Sequence, residues 1–290
     1  MKKILITGGS GFLGWHICHQ AKQKWDVYST YSTKPLHIPQ TQVLPLDISE
    51  YSAVKQLFKD IQPDAVIHTA AQSQPNYCQT YPQESYKINV TAAANLAGIC
   101  ADNSIPYVFT STDLVFNGLN APYKETDSVS PVNIYGEQKV QAELEILTRY
   151  PQATICRMPL MFGAATPTAT SFMQGFIQTL AAGKELNLFV DEFRTPVSGV
   201  TAAQGLLLAM ETFKGIIHLG GKERISRYDF GKLMVEILQL PGANLKSCRQ
   251  QDVKMAAPRP QDVSLDSSKA FSLGYQPLSI REELELIAKS

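Results

Sequence analysis

The sequence predicts an α/β fold, a doubly wound parallel sheet carrying a smaller C-terminal α/β lobe. Three observations lead there. Short runs rich in β-branched and aromatic residues alternate with longer segments of helical period, the rhythm of βαβ units. The first run leads at once into a glycine-rich stretch, Thr7-Gly8-Gly9-Ser10-Gly11-Phe12-Leu13-Gly14. The chain has 290 residues, long for one compact domain and short for two of typical size, which suits one large domain with an appendage.

The first run, KILIT (3–7), is continuously apolar at its centre, as a strand covered on both faces requires. DVYSTY (26–31), QVLPL (42–46), DAVIHTA (64–70), PYVFTST (106–112) and ATICRM (153–158) repeat that character and are expected as further strands. Between them, residues 11–24, 50–60, 84–102 and 132–149 carry helical periodicity. After about residue 160 the rhythm loosens. FGAATPTATS precedes a helix expected near 170–182, then come ELNLFV, GVTAAQGLLLAM, GIIHLGG and a helical stretch at 226–239. The expected division is a nucleotide-binding domain over 1–160 and a substrate-binding lobe over 161–290, with some later segments returning to the large sheet.

Lysine plus arginine equals aspartate plus glutamate at 26 each, so no net charge draws the chain to nucleic acid or to an anionic membrane, and a small-molecule partner is expected. The five cysteines are odd in number and widely spaced, without a C-x-x-C pair, which suits reduced core residues of a cytoplasmic protein. The apolar run of MKKILITGG is too short for a signal peptide, and no stretch reaches membrane-spanning length. His16 and His19 share a helix face, but no third ligand is in view and no metal site is expected. Trp15 and Trp25 read as packing, and His68 as a core histidine.

Gly9, Gly11 and Gly14 fit G-x-G-x-x-G, while Gly8, Gly11 and Gly14 fit G-x-x-G-x-x-G. Between a strand and a helix, either pattern is that of a Rossmann turn, whose helix points free N–H groups and its positive dipole end at a pyrophosphate. A plain turn needing glycine dihedrals is the alternative. The end of the second strand, where an acid would bind the ribose of NAD, instead holds Ser29, Thr30, Ser32 and Thr33, with Lys34 close by. Hydroxyls and a cation suit a 2′-phosphate, so NADP(H) is preferred and NAD(H) stays possible.

A tyrosine and a lysine four apart on a helix share a face, and an ammonium beside a phenol lowers its pKa. That spacing occurs at Tyr51/Lys55, Tyr135/Lys139 and Tyr228/Lys232. Only Tyr135/Lys139 opens a helix just after the fifth strand, whose end brings Ser111 and Thr112 to the ligand edge of an open parallel sheet. Such a tyrosine can protonate a carbonyl oxygen as hydride reaches its carbon.

GGSGFLG, STDLVFNG, APYKETDSVSPVNIYGEQKVQAE and RPQDVSLDSSK together resemble the extended short-chain dehydrogenase/reductase family, within it the dTDP-4-dehydrorhamnose reductase-like group. The resemblance covers essentially the whole chain and is most specific over 111–143, where Glu143 ends the pattern. It implies that Thr112 holds the substrate carbonyl, Tyr135 donates the proton, and Lys139 binds the nicotinamide ribose and tunes Tyr135. It also implies Gly8, Gly11, Phe12 and Leu13 at the pyrophosphate, Asp47 and Ile48 at the adenine, Ala70 and Ala71 at the middle of the cofactor, and Met158 near the nicotinamide. Asn89 falls in the helix beneath the site.

On the substrate side Asp113 can orient substrate or its own loop, and Arg194 and Arg259 are candidates for a substrate phosphate or for structural salt bridges. This side departs from the family. Arg157-Met158-Pro159-Leu160 lacks the aromatic residue common after that arginine, and Val200-Thr201 replace a usual acidic pair. The resemblance implies an NADPH-dependent reductase of a 4-keto sugar nucleotide, with a homodimer possible. A non-catalytic regulatory subunit, as in the similar β subunit of methionine adenosyltransferase, and a sugar-nucleotide epimerase retaining NAD are the alternatives.

Overall fold

The computed structural model describes residues 1–289. Ile4 and Ile6 of β1 (Lys3–Thr7) enter one apolar cluster and Leu5 enters another, so the first strand is buried on both faces. Then follow α1 (Phe12–Ala21), β2 (Asp26–Tyr31), β3 (Thr41–Pro45), α2 (Tyr51–Ile61) and β4 (Ala65–His68). The short α3 (Pro75–Thr80) and α4 (Pro82–Tyr86) each start on a proline, whose missing N–H costs nothing at a first turn. A π-helical turn (Lys87–Ala92) joins α4 to α5 (Ala93–Asp102). The expected helix at 84–102 is therefore three pieces; an extra residue in one turn leaves the apolar pattern almost unchanged and cannot be read from it.

β5 (Tyr107–Thr112), α6 (Ile134–Arg149) and β6 (Thr154–Met158) complete the first half. The lobe uses very short strands: β7 (Met161–Phe162), then α7 (Phe172–Ala181), β8 (Leu186–Phe189), β9 (Phe193–Arg194) and β10 (Val197–Ser198). Next come α8 (Gly199–Thr212), β11 (Gly215–His218), β12 (Ile225–Ser226), α9 (Arg227–Ile237), β13 (Leu245–Cys248), α10 (Ser268–Ser272) and α11 (Ile280–Ala288).

Seven strands form one parallel sheet in the order β11-β6-β5-β4-β1-β2-β3. The chain moves to opposite sides of β1 in its two halves, so the crevice between β1 and β4 is a topological switch point. Helices α1 and α8 cover one face of the sheet, and α2, α5 and α6 cover the other. Residues 199–218 thus belong to the large sheet and its layer, although they follow the first lobe segment. The lobe has its own core of Phe162, Met173, Phe230, Met234, Ile280 and Leu284, tied together by the β8–β13, β9–β12 and β7–β10 pairs. Among the described residues no helix is long and apolar enough to cross a membrane.

Candidate active site

The glycine turn is built by contacts that only glycine permits. Gly8 sits at φ +76°, and a Cβ there would come within 2.8 Å of the Ala70 nitrogen. Its carbonyl accepts the Gly11 N–H at 2.9 Å, and a Cβ on Gly14 would strike that carbonyl. Gly11 is the N-cap of α1 and caps it with no side chain, which leaves N–H groups of the first turn directed at the crevice. A cleft of about 460 Å³ opens there. The uncapped helix end and the space kept clear of Cβ atoms fit a pyrophosphate.

Gly8, Gly11, Phe12 and Leu13 line the turn end of this cleft. Thr30, Ser32, Thr33, Asp47 and Ile48 line the region past β2 and β3, and Ala70 and Ala71 its middle. Tyr135, Lys139 and Met158 line it near the end of β5. Two expectations change here. Lys34 is exposed and lies outside the cleft lining, because the chain turns to solvent after Tyr31. Ser29 faces inward and donates to the Ile6 carbonyl at 3.2 Å, so neither side chain is among those lining the cleft. Thr30 is itself engaged, its hydroxyl accepting the Gly8 N–H at 3.4 Å. Among the described residues Asp47, just after β3, is the one carboxylate side chain lining the cleft; Ser49 N and Oγ donate to it at 2.9 and 2.7 Å and hold its pKa below the usual value.

A second cavity, of about 740 Å³, adjoins the first. Ser111, Tyr135 and Met158 line both, so a group held in either space meets the other at these side chains. Asn133 caps α6 by accepting the Gly136 N–H at 2.9 Å and reaches the Pro258 carbonyl at 3.0 Å, fixing the helix start that carries Tyr135. The Thr112 hydroxyl lies beside the Tyr135 phenol, accepts the Leu114 N–H at 3.2 Å and donates to Asp113 at 3.2 Å.

Tyr135 and Lys139 both line the site, but the expected lowering of the phenol's pKa by the ammonium is not what the structure produces. Burial pushes Tyr135 above its ordinary value, Cys78 and Asp113 add to this, and the neighbouring Thr112 hydroxyl opposes it. Lys139 Nζ donates instead to the Thr110 carbonyl at 2.6 Å and lies 4.2 Å from the Phe109 ring centre. Burial draws Lys139 down to about 7, against the opposing pull of the Glu143 carboxylate. Glu143 in turn pairs with Arg157 at 2.8 Å and accepts from the Ser111 hydroxyl, locking the ends of β5 and β6 to α6.

The far end of the second cavity holds Asp113, Glu192, Arg194, Arg227 and Arg259. Arg194 is buried and already neutralised: its Nε lies 3.3 Å from Asp113 Oδ2, without hydrogen-bond alignment, and its Nη2 lies 3.5 Å from Glu192. The structural salt bridge is therefore its arrangement, with Asp113 as partner. Burial raises the Asp113 carboxyl to about 6 despite Arg194. Arg259 contacts only the Ala257 carbonyl at 3.1 Å and Asn76 at 3.2 Å, and no carboxylate pairs with it among the described residues. Sequence reasoning missed Glu192 and Arg227, which pair at 2.9 Å. Glu192 stood two residues before Arg194 as a signal; Arg227 had none.

A glycine turn at the switch point of a parallel sheet, beside a Tyr-x-x-x-Lys helix and a small C-terminal lobe, defines an extended short-chain dehydrogenase/reductase, an NAD(P)-dependent oxidoreductase class. The chain belongs to the family described as the RmlD substrate binding domain, which it matches over residues 1–290. It is 31% identical over 287 residues to the probable low-salt glycan biosynthesis reductase Agl14 of Haloferax volcanii, covering 96% of this chain and 95% of that one. It is 27% identical over 281 residues to methionine adenosyltransferase 2 subunit beta of Danio rerio, covering 94% of this chain and 85% of that protein. Among solved structures, a dTDP-4-dehydrorhamnose reductase of Clostridium acetobutylicum superposes with a TM-score of 0.86 at 27% identity, covering 99% of this chain and 98% of the other.

Proposed function

We propose that the protein reduces the 4-keto group of a nucleotide-linked sugar with NADPH. The observation that carries this reading is the junction of the two cavities at Tyr135, with the Thr112 hydroxyl beside it. Gly8, Gly11, Phe12 and Leu13 would hold the pyrophosphate, Asp47 and Ile48 the adenine, Ala70 and Ala71 the middle of the cofactor, and Lys139 the nicotinamide ribose. The bound nicotinamide supplies hydride. Tyr135 donates its phenolic proton to the carbonyl oxygen, turning ketone into alcohol, while the Thr112 hydroxyl orients that oxygen. The high pKa of Tyr135 keeps the proton in place until charge develops on the substrate. Ser32 and Thr33, with no carboxylate at the end of β2, favour NADP(H) over NAD(H). Arg259, which forms no ion pair with a carboxylate among the described residues, is the cation offered to the substrate phosphate.

A second reading is a regulatory subunit that binds cofactor without turnover. The likeness to methionine adenosyltransferase 2 subunit beta and the Met158–Leu160 departure favour it. One experiment separates the two: fluorescence titration with NADPH, then a panel of 4-keto nucleotide sugars followed at the nicotinamide absorbance. Turnover supports the reductase. Binding without turnover across the panel moves the assignment to the regulatory protein.

A further inference from the structure

Two buried amides lie behind the catalytic helix. Gln138 stands between Tyr135 and Lys139 on the inner face of α6 and is 4% exposed; Asn89, in the π-helical turn, is 1% exposed. Asn89 Nδ2 donates to Gln138 Oε1 at 2.8 Å. Gln138 Nε2 donates to the Pro82 carbonyl and to Ser85 Oγ, each at 2.9 Å. On its other side Asn89 clasps the backbone of Gln72, accepting its N–H at 2.9 Å and donating to its carbonyl at 3.1 Å. Turning the Gln138 amide over would set two NH₂ groups against each other and an oxygen against the Pro82 carbonyl, so only one orientation satisfies the chain.

We infer that Gln138 is a positioning residue. Through Asn89 it sets the segment Ala70–Ser73, which lines the first cleft, at a fixed distance from Tyr135 and Lys139 on α6. The inference rests on the reading of that cleft as a nicotinamide site only for its consequence in binding, not for the network itself. A buried amide chain with all its partners rigidifies the groups it joins, and loss of one member leaves the others unpaired in a place water does not reach. The link ties two elements far apart in sequence, α6 and the turn after β4, at the place where a cofactor and a proton donor must be brought into register.

Gln138→Leu keeps a branched side chain buried at this position but removes its hydrogen bonds. Two measurements test it against Thr201→Val, which breaks a buried contact to Glu283 away from the cleft and serves as the control for stability. The first is hydrogen exchange of the peptide spanning 70–75: Gln138→Leu should speed exchange of the Gln72 amide about tenfold, and Thr201→Val should leave it unchanged. The second is NADPH affinity well below the melting temperature: Gln138→Leu should weaken it about tenfold, and Thr201→Val should not. Unchanged Gln72 exchange in Gln138→Leu overturns the network. Faster exchange with unchanged NADPH affinity reduces Gln138 to a structural residue and overturns its positioning role. If the unaltered protein binds neither NADPH nor NADH, the cofactor reading fails and the binding role with it, whereas the exchange result still judges the network.

Discussion

Tyr135, Thr112 and Lys139 share a small buried space, and their chemistry depends on which of them carries charge. Tyr135→Phe should abolish ketone reduction while NADPH affinity by fluorescence stays within about twofold, because the ring remains and only the proton source is lost. Full activity in that variant would remove Tyr135 from the mechanism. Lys139 makes a prediction about pH. Its folded pKa, about 7, lies below the ordinary 10.5, so between those values the folded protein holds fewer protons than the unfolded chain. Stability then gains from rising pH across that window, and the cost of burying the ammonium is in full force below 7. The melting temperature of the unaltered protein, relative to Lys139→Met, should climb from pH 7 to pH 10; a flat difference would mean that the amine is not desolvated. Asp113 runs the other way. Raised to about 6 from an ordinary 3.8, it withdraws stability as pH rises through that interval.

At the scale of the element, the turn between β1 and α1 separates folding from binding. Gly14 packs against the Gly8 carbonyl, and Gly14→Ala should lower the melting temperature because backbone must move. A Cβ at Gly11 meets only that carbonyl, at 3.1 Å, and otherwise projects into the cleft. Gly11→Val should therefore fold, with a smaller loss of stability, yet lose most of its NADPH affinity by titration; retained affinity would refute the phosphate cradle. Elements with a strong period were legible before the structure: the glycine turn, six strands and α6 all announce themselves in apolar runs and spacing. The two-residue strands β7, β9, β10 and β12 did not, since two residues have no period to read. Nor did the π-helical turn that places Asn89, because widening one turn changes geometry without changing composition.

For the whole molecule, the second cavity is the decisive assembly. Asp113 comes from just after β5, Glu192 from just before β9, Arg194 from β9 itself, Arg227 from the start of α9 and Arg259 from the loop before α10, and they meet only in the folded chain. The two arginines proposed from sequence consequently part company. Arg194→Ala leaves the buried Asp113 without its ion-pair partner, while Glu192 keeps Arg227, and should cost about 3–5 kcal/mol, read as a large fall in melting temperature. Arg259→Ala should leave the melting temperature nearly unchanged and raise KM for a nucleotide sugar with little effect on kcat, since it releases no buried carboxylate. Equal thermal losses in the two variants would contradict the division of roles.

The linear chain by itself determined the α/β class, the glycine turn and the position of the Tyr135/Lys139 helix, because each is written in local periodicity or in residues whose chemistry is tied to a fixed spacing. It left open which way a charge is spent. Only the tertiary structure decided that Lys139 faces the Thr110 carbonyl, that Arg194 is held by Asp113 and Glu192, that residues 199–218 return to the large sheet, and that Gln138 reaches Gln72 through Asn89. The reason is physical: hydrogen bonds, ion pairs and desolvation depend on distance in space, and residues up to 183 apart along this chain become neighbours only after the sheet and the lobe have packed.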